Sequence, residues 1–302
     1  MTSLPAVVLA REGGSYRVLL GGIERVAVLR GKARQDRDRA VAGDRVRIDP
    51  ATITEDVLGI DGVEPRTSLL SRRTPEGRGQ RPIAANVDQV MIVTATTRPE
   101  PLLQLIDRLL VVAEANELPA LIVANKVDLL NADALRTHLA ATGYPLLEVS
   151  AHTGSGLAAL AARLCDTESV FTGPSGAGKS SLLNAIEPNL GLRVGELSVK
   201  VQRGRHTTTT ATMIPLIAGG FVVDTPGFSE VGVWDVHPDG LAEYFPEFRT
   251  LIDQCRFADC HHVSEPGCAV REGVAAGTIP ETRHASYQAI LAELKAVPEA
   301  WE

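Results

Sequence analysis

The stretch that decides the fold is a glycine-rich segment, which runs Gly173-Pro174-Ser175-Gly176-Ala177-Gly178-Lys179-Ser180-Ser181. It follows the apolar run 169–172, which predicts a buried strand, and it leads into residues 179–186, which predict a helix. This order is typical of a phosphate-binding loop, whose backbone N–H groups surround phosphates at the positive end of a helix. We expect Lys179 to neutralise phosphate charge during catalysis and Ser180 to bind Mg²⁺.

A second motif, Asn125-Lys126-Val127-Asp128, follows the apolar run 120–124. It is therefore expected at the carboxyl edge of a parallel sheet, where α/β proteins bind ligands. The Asp128 carboxylate can accept hydrogen bonds from guanine N1–H and N2–H₂, which adenine does not offer, so the wrong base can be rejected by about 10⁴-fold. Ser150-Ala151 follows another apolar run, and the Ala151 N–H can donate to guanine O6. These residues predict GTP and GDP as ligands and disfavour a P-loop ATPase or kinase.

The order of these motifs is reversed. In an ordinary small GTPase the phosphate loop comes first, followed by a switch threonine, Asp-x-x-Gly, Asn-Lys-x-Asp and Ser-Ala. Here residues 125–128 and 150–151 precede the phosphate loop, and a threonine run at 207–210 and Asp224-Thr225-Pro226-Gly227 follow it. All the motifs are present in a circularly permuted order, which a compact domain tolerates when its original termini lie close together. We assign residues 84–230 to a circularly permuted P-loop GTPase domain of the α/β class.

Two groups downstream of the phosphate loop are expected to complete its chemistry. Asp224 should reach the Mg²⁺ shell together with Ser180, and a switch threonine should join them. We favour Thr209 for that role, with Thr207 and Thr208 as open alternatives.

The catalytic water also needs a partner. The Gly227 N–H is expected to sense the γ-phosphate, but Phe228 stands where many GTPases carry a water-orienting glutamine, and a phenyl ring cannot hydrogen-bond a nucleophile. His206 adjoins the switch threonines and is the candidate for this task. A solvated loop histidine is the alternative.

Composition bounds the class of protein. The chain has 302 residues, of which 44% are hydrophobic, and can bury the cores of two or three domains. Met1–Ala10 lacks a basic flank, and no uncharged apolar run reaches about 18 residues. We therefore expect a cytoplasmic protein without a membrane partner.

Short β-like runs alternate with glycine turns over the first 65 residues, at 6–10, 16–20, 25–29, 45–48 and 57–63. This spacing predicts a small barrel, and an oligonucleotide-binding fold over residues 1–67 fits it. The long loop 30–40 contains five Lys and Arg residues, which suits contact with RNA. Tyr16 is the only aromatic residue of the segment, which weakens the expectation of base stacking.

Charge is unevenly distributed along the chain. Residues 1–83 contain 15 Lys and Arg against 11 Asp and Glu, whereas residues 84–302 contain 15 against 26. A basic N-terminal module on an acidic protein suggests a polyanionic partner, although a solvated surface is the simpler alternative. Residues 68–83 are rich in arginine, proline, glycine and serine and are predicted to be a basic linker.

Strand and helix patterns alternate in the next segment, with strands at 88–95, 120–124 and 145–149 and helices at 101–116, 132–142 and 156–164. This βαβ order predicts a mostly parallel sheet. The apolar runs 212–217 and 221–223, joined by Ala218-Gly219-Gly220, predict a hairpin at its edge.

Three cysteines and a histidine have zinc-ligand spacing, as Cys255-x₄-Cys260-x-His262-x₅-Cys268. Cys₃His is a closed tetrahedral set for one structural Zn²⁺. Free or redox-active thiols are the alternative, and His261 could replace His262 as the ligand. We assign residues 231–302 to a zinc-binding, mainly helical domain.

Two further predictions concern burial near these motifs. Cys165, at the end of a helix of Ala and Leu, is expected to be a buried small hydrophobe. Apolar residues recur at helical spacing near the C-terminus, at Tyr287, Ile290, Leu291 and Leu294. They predict an amphipathic helix that packs on the loop of the zinc motif, residues 255–268 (the zinc loop), or simply fills the core.

Taken together, the chain resembles the ribosome small-subunit-dependent GTPase A family (RsgA, also called YjeQ). The segments that carry the resemblance are 66–72, 173–181, Gly204-Arg205-His206-Thr207-Thr208-Thr209, 224–227 and 255–268 with Glu265-Pro266-Gly267. The resemblance implies an oligonucleotide-binding barrel, a permuted GTPase domain and a zinc domain. It also implies action late in the assembly of the 30S subunit, GTP hydrolysis stimulated by that subunit, and a catalytic role for His206.

The function expected from the sequence is therefore a GTPase whose nucleotide state times its binding to and release from the small ribosomal subunit. Its partner would be that subunit with its 16S rRNA, not DNA, and we expect a monomer. The alternative is a GTP-gated RNA-binding module in which hydrolysis is incidental.

Overall fold

The computed structural model describes residues 3–31, 40–73, 80–192, 211–225 and 236–296. Five strands form the N-terminal region: β1 Leu4–Glu12, β2 Ser15–Leu20, β3 Ile23–Leu29, β4 Arg45–Ile48 and β5 Val57–Val63. They pair in the order β1-β2-β3-β5-β4, and β4 returns to β1, so the sheet closes into a barrel. Alternate residues such as Val8, Val18 and Ile60 fill its interior because strand side chains alternate between the two faces. The predicted barrel is confirmed.

The central sheet contains six strands: β8 Gln89–Ala95, β9 Ala120–Asn125, β10 Leu146–Glu148, β11 Glu168–Thr172, β12 Thr212–Pro215 and β13 Phe221–Asp224. Their order is β10-β9-β8-β11-β13-β12. The first five are parallel and β12 is antiparallel to β13, so the predicted parallel sheet with an edge hairpin is confirmed.

Four helices cover this sheet: α1 Leu103–Ala115, α2 Asp133–Leu139, α3 Leu157–Leu164 and α4 Lys179–Ile186. Helices α1 and α2 pack on the face that carries Ile92 and Ile122. Helices α3 and α4 pack on the opposite face, against Met91 and Val123. Because both faces are covered, the strands are continuous apolar runs, and their carboxyl ends are the place where polar loops converge.

The segment that the sequence suggested as a linker is instead a hairpin, formed by β6 Leu69–Arg73 and β7 Gln80–Ala85. Leu70 and Ala84 are fully buried in the same core as α1. The segment is rich in arginine, but Leu70 and Ala84 lie opposite each other in the hairpin and are buried together in this core. The hairpin is therefore part of the folded protein and not a free connection.

The barrel and the central sheet are continuous. Ala10 of β1 pairs with Thr212 of β12, and Thr212 in turn pairs with Asp224 of β13. Leu9 lies in the core of the GTPase region, and the Asn86 side chain donates to the Gly43 carbonyl at 2.8 Å. The barrel is thus joined to the GTPase sheet through both backbone pairing and a shared core.

The C-terminal region is mainly helical, as expected. Its α-helices are α5 Pro246–Arg249, α6 Ala269–Ala275 and α7 Glu281–Ala296, and two short 3₁₀ helices lie at Pro238–Tyr244 and Ile252–Gln254. Tyr287, Ile290 and Leu291 of α7 are buried against Phe245 and Phe248. Both expectations for this helix hold, because it fills the core and also contacts the zinc loop.

A buried ionic network joins this region to the GTPase domain. Arg283 of α7 is 1% exposed and binds the carboxylate of Asp107 on α1 and that of Glu247 on α5. His138 of α2 binds the same Asp107 carboxylate at 2.9 Å and the Thr282 hydroxyl at 2.7 Å. Four helices therefore meet at one set of paired charges.

Cys165 is exposed, so its predicted burial is wrong. It lies after the last turn of α3, where its thiol contacts the Ala218 carbonyl at 3.1 Å and not the core. None of the helices in the described parts of the chain is both long and apolar enough to cross a membrane.

Candidate nucleotide and zinc sites

The phosphate loop connects β11 to α4, and its glycines are required by close backbone approaches. Gly173, Gly176 and Gly178 all have positive φ angles, of 137°, 79° and 95°. A Cβ atom on Gly173 would lie 1.9 Å from the Val93 carbonyl oxygen, and one on Gly178 would lie 2.2 Å from the Asn125 amide nitrogen. The local geometry is therefore that of a strand, a glycine-rich turn and a helix, as the sequence predicts.

Lys179 begins α4 and is 7% exposed. Its ammonium donates to the carbonyls of Gly173 at 2.6 Å and Pro174 at 3.1 Å. Burial lowers the pKa of Lys179 to about 8, although the charge of Asp224 opposes this shift. A desolvated ammonium gains most from a nearby anion, so this position suits a phosphate group.

Ser180 and Asp224 are buried polar residues at the ends of neighbouring elements, α4 and β13. A hydroxyl and a carboxylate are the hard oxygen donors that Mg²⁺ prefers. The residues present thus fit the ion, which would supply charge neutralisation at the phosphates.

Asn125 ends β9 and links three segments. Its amide nitrogen donates to the Ala177 carbonyl of the phosphate loop at 2.9 Å. Its amide oxygen accepts from the N–H groups of Lys126 at 2.8 Å and Ala151 at 3.2 Å. One side chain therefore holds the base-reading motif, the Ser-Ala segment and the phosphate loop together. The Ala151 N–H, expected to donate to guanine O6, donates here to Asn125.

Lys126 and Asp128 both contact neighbouring loops. The Lys126 ammonium donates to the carbonyls of Arg98 and Gly176, the latter at 2.9 Å. The exposed Asp128 carboxylate accepts from the Ser150 hydroxyl at 2.5 Å. The structure therefore brings together the guanine-reading and phosphate-binding residues that the sequence predicts from two distant segments.

Some predicted residues lie outside the described residues. These are His206, Thr207, Thr208, Thr209, Gly227 and Phe228. Their proposed catalytic and Mg²⁺-binding roles remain predictions.

The four predicted zinc ligands form one cluster, in which all ligand atoms lie within 4.8 Å of one another. The Cys255 and Cys268 sulfurs are 4.0 Å apart, and His262 Nδ1 lies 3.6 and 3.4 Å from them. Tetrahedral Zn²⁺, with Zn–S near 2.3 Å and Zn–N near 2.0–2.1 Å, requires separations of about 3.5–3.8 Å. The donor set fits zinc, and its nitrogen comes from His262 and not from His261.

Groups behind the cluster hold the zinc loop in place. The His284 ring of α7 lies 2.7 Å from the His262 carbonyl, and the Tyr287 hydroxyl donates to the His261 carbonyl at 3.0 Å. Burial raises the pKa of Glu265, but N–H groups of its own residue, Ser264, Val263 and His261 outweigh that effect and lower it to about 2.

The pKa values of two of the cluster thiols shift upward, whereas that of Glu265 shifts downward. Burial raises the pKa of the Cys260 thiol to about 12 and also raises that of Cys268. A bound cation would reverse this shift, because it stabilises the thiolate.

Sequence reasoning missed several supporting residues. Thr96 and Arg98 contact Lys126, yet they belong to none of the motifs. Their only signal is their place immediately after a buried parallel strand. His284 supports the zinc loop from 22 residues away and has no local signal.

The comparisons agree with this geometry. A sequence model of the family described as RsgA GTPase matches residues 63–234. Two relatives are described as "Small ribosomal subunit biogenesis GTPase RsgA". The protein from Gemmatimonas aurantiaca is 46% identical and covers 97% of this chain and 98% of its own. The protein from Moorella thermoacetica is 43% identical and covers 96% and 97%.

Two solved structures are also similar. The crystal structure of YjeQ from Thermotoga maritima has a TM-score of 0.76 and 35% identity, with 97% of this chain and 99% of that chain covered. YloQ, described as a circularly permuted GTPase, has a TM-score of 0.71 and 28% identity, with coverages of 97% and 95%. The predicted permutation is confirmed.

Proposed function

We propose that this chain, which belongs to the RsgA GTPase family and hydrolyses GTP, acts on the small ribosomal subunit. In this proposal the protein takes part in late maturation of the 30S particle, and its nucleotide state times binding and release. The names of the two relatives support the biogenesis role, since both are described as small ribosomal subunit biogenesis GTPases.

One observation carries the nucleotide part of the proposal, namely the Asn125 side chain that bonds both the Ala177 carbonyl and the Ala151 N–H. Because it fixes the base-reading loop against the phosphate loop, one nucleotide can span both. Asp128 would then read guanine N1–H and N2–H₂, Lys179 would neutralise the phosphates, and Ser180 with Asp224 would hold Mg²⁺.

The barrel supports a contact with 16S rRNA. Five-stranded barrels of this topology bind nucleic acids through their loops, and the basic segment 30–40, most of which lies outside the described residues, falls between β3 and β4 in the sequence. We propose a cytoplasmic monomer that contacts the subunit through this barrel.

Hydrolysis requires a group that positions the attacking water, and we propose that His206 is this group. We further propose that the Gly227 N–H binds the γ-phosphate. The experiment measures GTP turnover with and without purified 30S particles. The wild type should be stimulated, and His206→Ala should lower stimulated turnover by about 10²-fold or more while leaving GTP affinity unchanged. His237→Ala, which changes a histidine on the surface, is the matched control.

Two results would contradict the proposal. Turnover that 30S particles do not stimulate, together with GTP-dependent binding to them, would favour the GTP-gated RNA-binding module. Wild-type stimulation in His206→Ala would remove the catalytic role of that histidine.

A further inference from the structure

Thr96 is a buried threonine beside the guanine-reading motif. It is the first residue after β8 and is 4% exposed. Its N–H donates to the Asn125 carbonyl at 2.9 Å, and its hydroxyl donates to the Lys126 carbonyl, also at 2.9 Å. It thus contacts two consecutive residues of the motif without belonging to it.

Lys126 has a backbone conformation that needs such support. Its φ angle is 67°, in the left-handed region that residues with a Cβ atom rarely adopt. Residues in this region persist when the surrounding structure constrains them from several sides. Here the N–H of Lys126 binds the Asn125 amide oxygen, its ammonium binds the carbonyls of Arg98 and Gly176, and its own carbonyl binds Thr96.

The Lys126 carbonyl also determines where Asp128 lies. It accepts the Leu129 N–H at 2.9 Å, so it closes the turn that contains Asp128. It also accepts the Leu130 N–H at 3.4 Å, so two N–H groups of the turn and the Thr96 hydroxyl all donate to this one oxygen. The orientation of this peptide group therefore connects Thr96, just after β8, to the carboxylate proposed to read the base.

We propose that Thr96 is a positioning residue for guanine recognition, whose hydroxyl holds the Lys126 carbonyl and thereby the Asp128 carboxylate. The proposal rests on the base-reading role of Asp128 proposed above. Thr96 does not contact the base in this account. It acts through the motif and determines how well the motif selects guanine.

The test compares the affinities for GDP and IDP in direct binding titrations. Hypoxanthine lacks the 2-amino group, so the ratio of the two dissociation constants reports on the placement of the Asp128 carboxylate. Thr96→Val removes the hydroxyl and keeps the shape. We expect it to weaken GDP binding by about tenfold and IDP binding by less. The dissociation constant for IDP divided by that for GDP should therefore fall, which is the narrowing of the ratio meant here. Thr96→Ser keeps the hydroxyl and should restore the ratio.

Thr94 lies two residues earlier, within β8, and offers a matched control. It is 1% exposed, and its hydroxyl contacts only the Ala95 carbonyl, at 3.5 Å, among the described residues. Thr94→Val should therefore keep the wild-type ratio. If Thr94→Val and Thr96→Val narrow the ratio equally, or if Thr96→Val leaves it unchanged, the proposal is wrong. Thr96→Ala provides the same comparison if the valine variant does not fold.

Asp128→Asn separates this proposal from the one on which it rests. A ratio unchanged in Asp128→Asn would refute base reading by Asp128 itself. A ratio that narrows in Asp128→Asn but not in Thr96→Val would refute only the role of Thr96. In the double variant, the Thr96→Val change should no longer alter the ratio, because the carboxylate that it positions is gone.

Discussion

The nucleotide site and the zinc cluster differ in what their functional atoms contact. Lys179, Lys126 and Asp128 all bind other groups of the protein, namely loop carbonyls and the Ser150 hydroxyl. The four predicted zinc ligands instead lie next to one another, and their loop is fixed by the Glu265 carboxylate and by side chains of α7 behind it. In the nucleotide site the charged groups are hydrogen-bonded to other parts of the protein. In the cluster the four donor atoms converge on one point.

This difference matches the two tasks. If a nucleotide takes over hydrogen bonds that these groups make within the protein, its net affinity is the difference between two sets of contacts, which favours release. A metal that joins four converging donors adds its binding free energy to the folding of the loop. The first arrangement suits exchange, and the second suits a permanent structural ion.

The largest effect should follow from breaking the metal site. Structural zinc contributes about 10–16 kcal/mol in small zinc domains. We therefore expect Cys260→Ser to reduce zinc content from one ion per chain to nearly none and to abolish amide protection across residues 255–268. Elemental analysis and hydrogen exchange measure both effects. Cys165→Ser changes an exposed thiol outside the cluster and should keep the zinc. A zinc-free protein with a fully protected C-terminal region would contradict the structural role.

The next largest effect concerns the buried ionic network that joins the C-terminal region to the GTPase domain, and it tests whether this network contributes to the free energy of unfolding. Arg283→Met would remove the ion pair of the buried Glu247 carboxylate and leave the Asp107 carboxylate with His138 alone, which costs about 3–5 kcal/mol. Urea denaturation should show this loss of unfolding free energy. Arg108→Met removes a more exposed pair with Glu293 and should cost less than about 1 kcal/mol. Equal losses in the two variants would argue against a special role for the buried network.

Asp128→Asn tests the exchangeable site. The amide can no longer accept from both guanine N1–H and N2–H₂, so GTP binding should weaken by about 2–4 kcal/mol while xanthosine triphosphate binding improves. Calorimetric titration measures both. Asp133→Asn, an exposed acid at the start of α2, is the control and should bind GTP normally. Unchanged GTP affinity in Asp128→Asn would remove the base-reading role, and neither variant should lose zinc.

The smallest effect concerns pH. Burial lowers the pKa of Lys179 to about 8, and a bound phosphate would raise it again because it favours the charged ammonium. Above pH 8 the free protein must therefore take up a proton on binding, and affinity falls as pH rises. GDP should bind about tenfold more weakly at pH 9 than at pH 7. Lys179→Arg does not titrate in this range, so the ratio of the two proteins' affinities isolates the lysine. An equal pH dependence in both would contradict this.

The features that could be predicted from sequence have causes within a few residues. The helix at 179–186, the glycines of the phosphate loop and the Cys₃His spacing all follow from local geometry, and the structure reproduces them. The parallel sheet followed from periodicity alone.

The misses concern contacts between distant segments. Asp107 and Arg283 are separated by 176 residues, and no local pattern indicates that they pair. Thr96 looks like any threonine after a strand until the neighbouring strand places Lys126 beside it. The arginine-rich composition of residues 68–83 predicts a linker, whereas the structure has a hairpin at residues 69–85, because burial depends on which face the apolar residues share and Leu70 and Ala84 share one.

The pairing of Ala10 with Thr212 limits how the role of the barrel can be studied. Strand β12 lies between β13 and β1, so a truncated chain that starts after residue 65 would present β12 as a bare sheet edge and uncover the core that Leu9 now fills. Bare edges of this kind recruit strands from other molecules. Loss of ribosome binding by such a fragment would therefore report aggregation as readily as loss of RNA contacts. Charge reversal at single barrel arginines keeps the edge covered and is the cleaner way to find the surface that meets RNA.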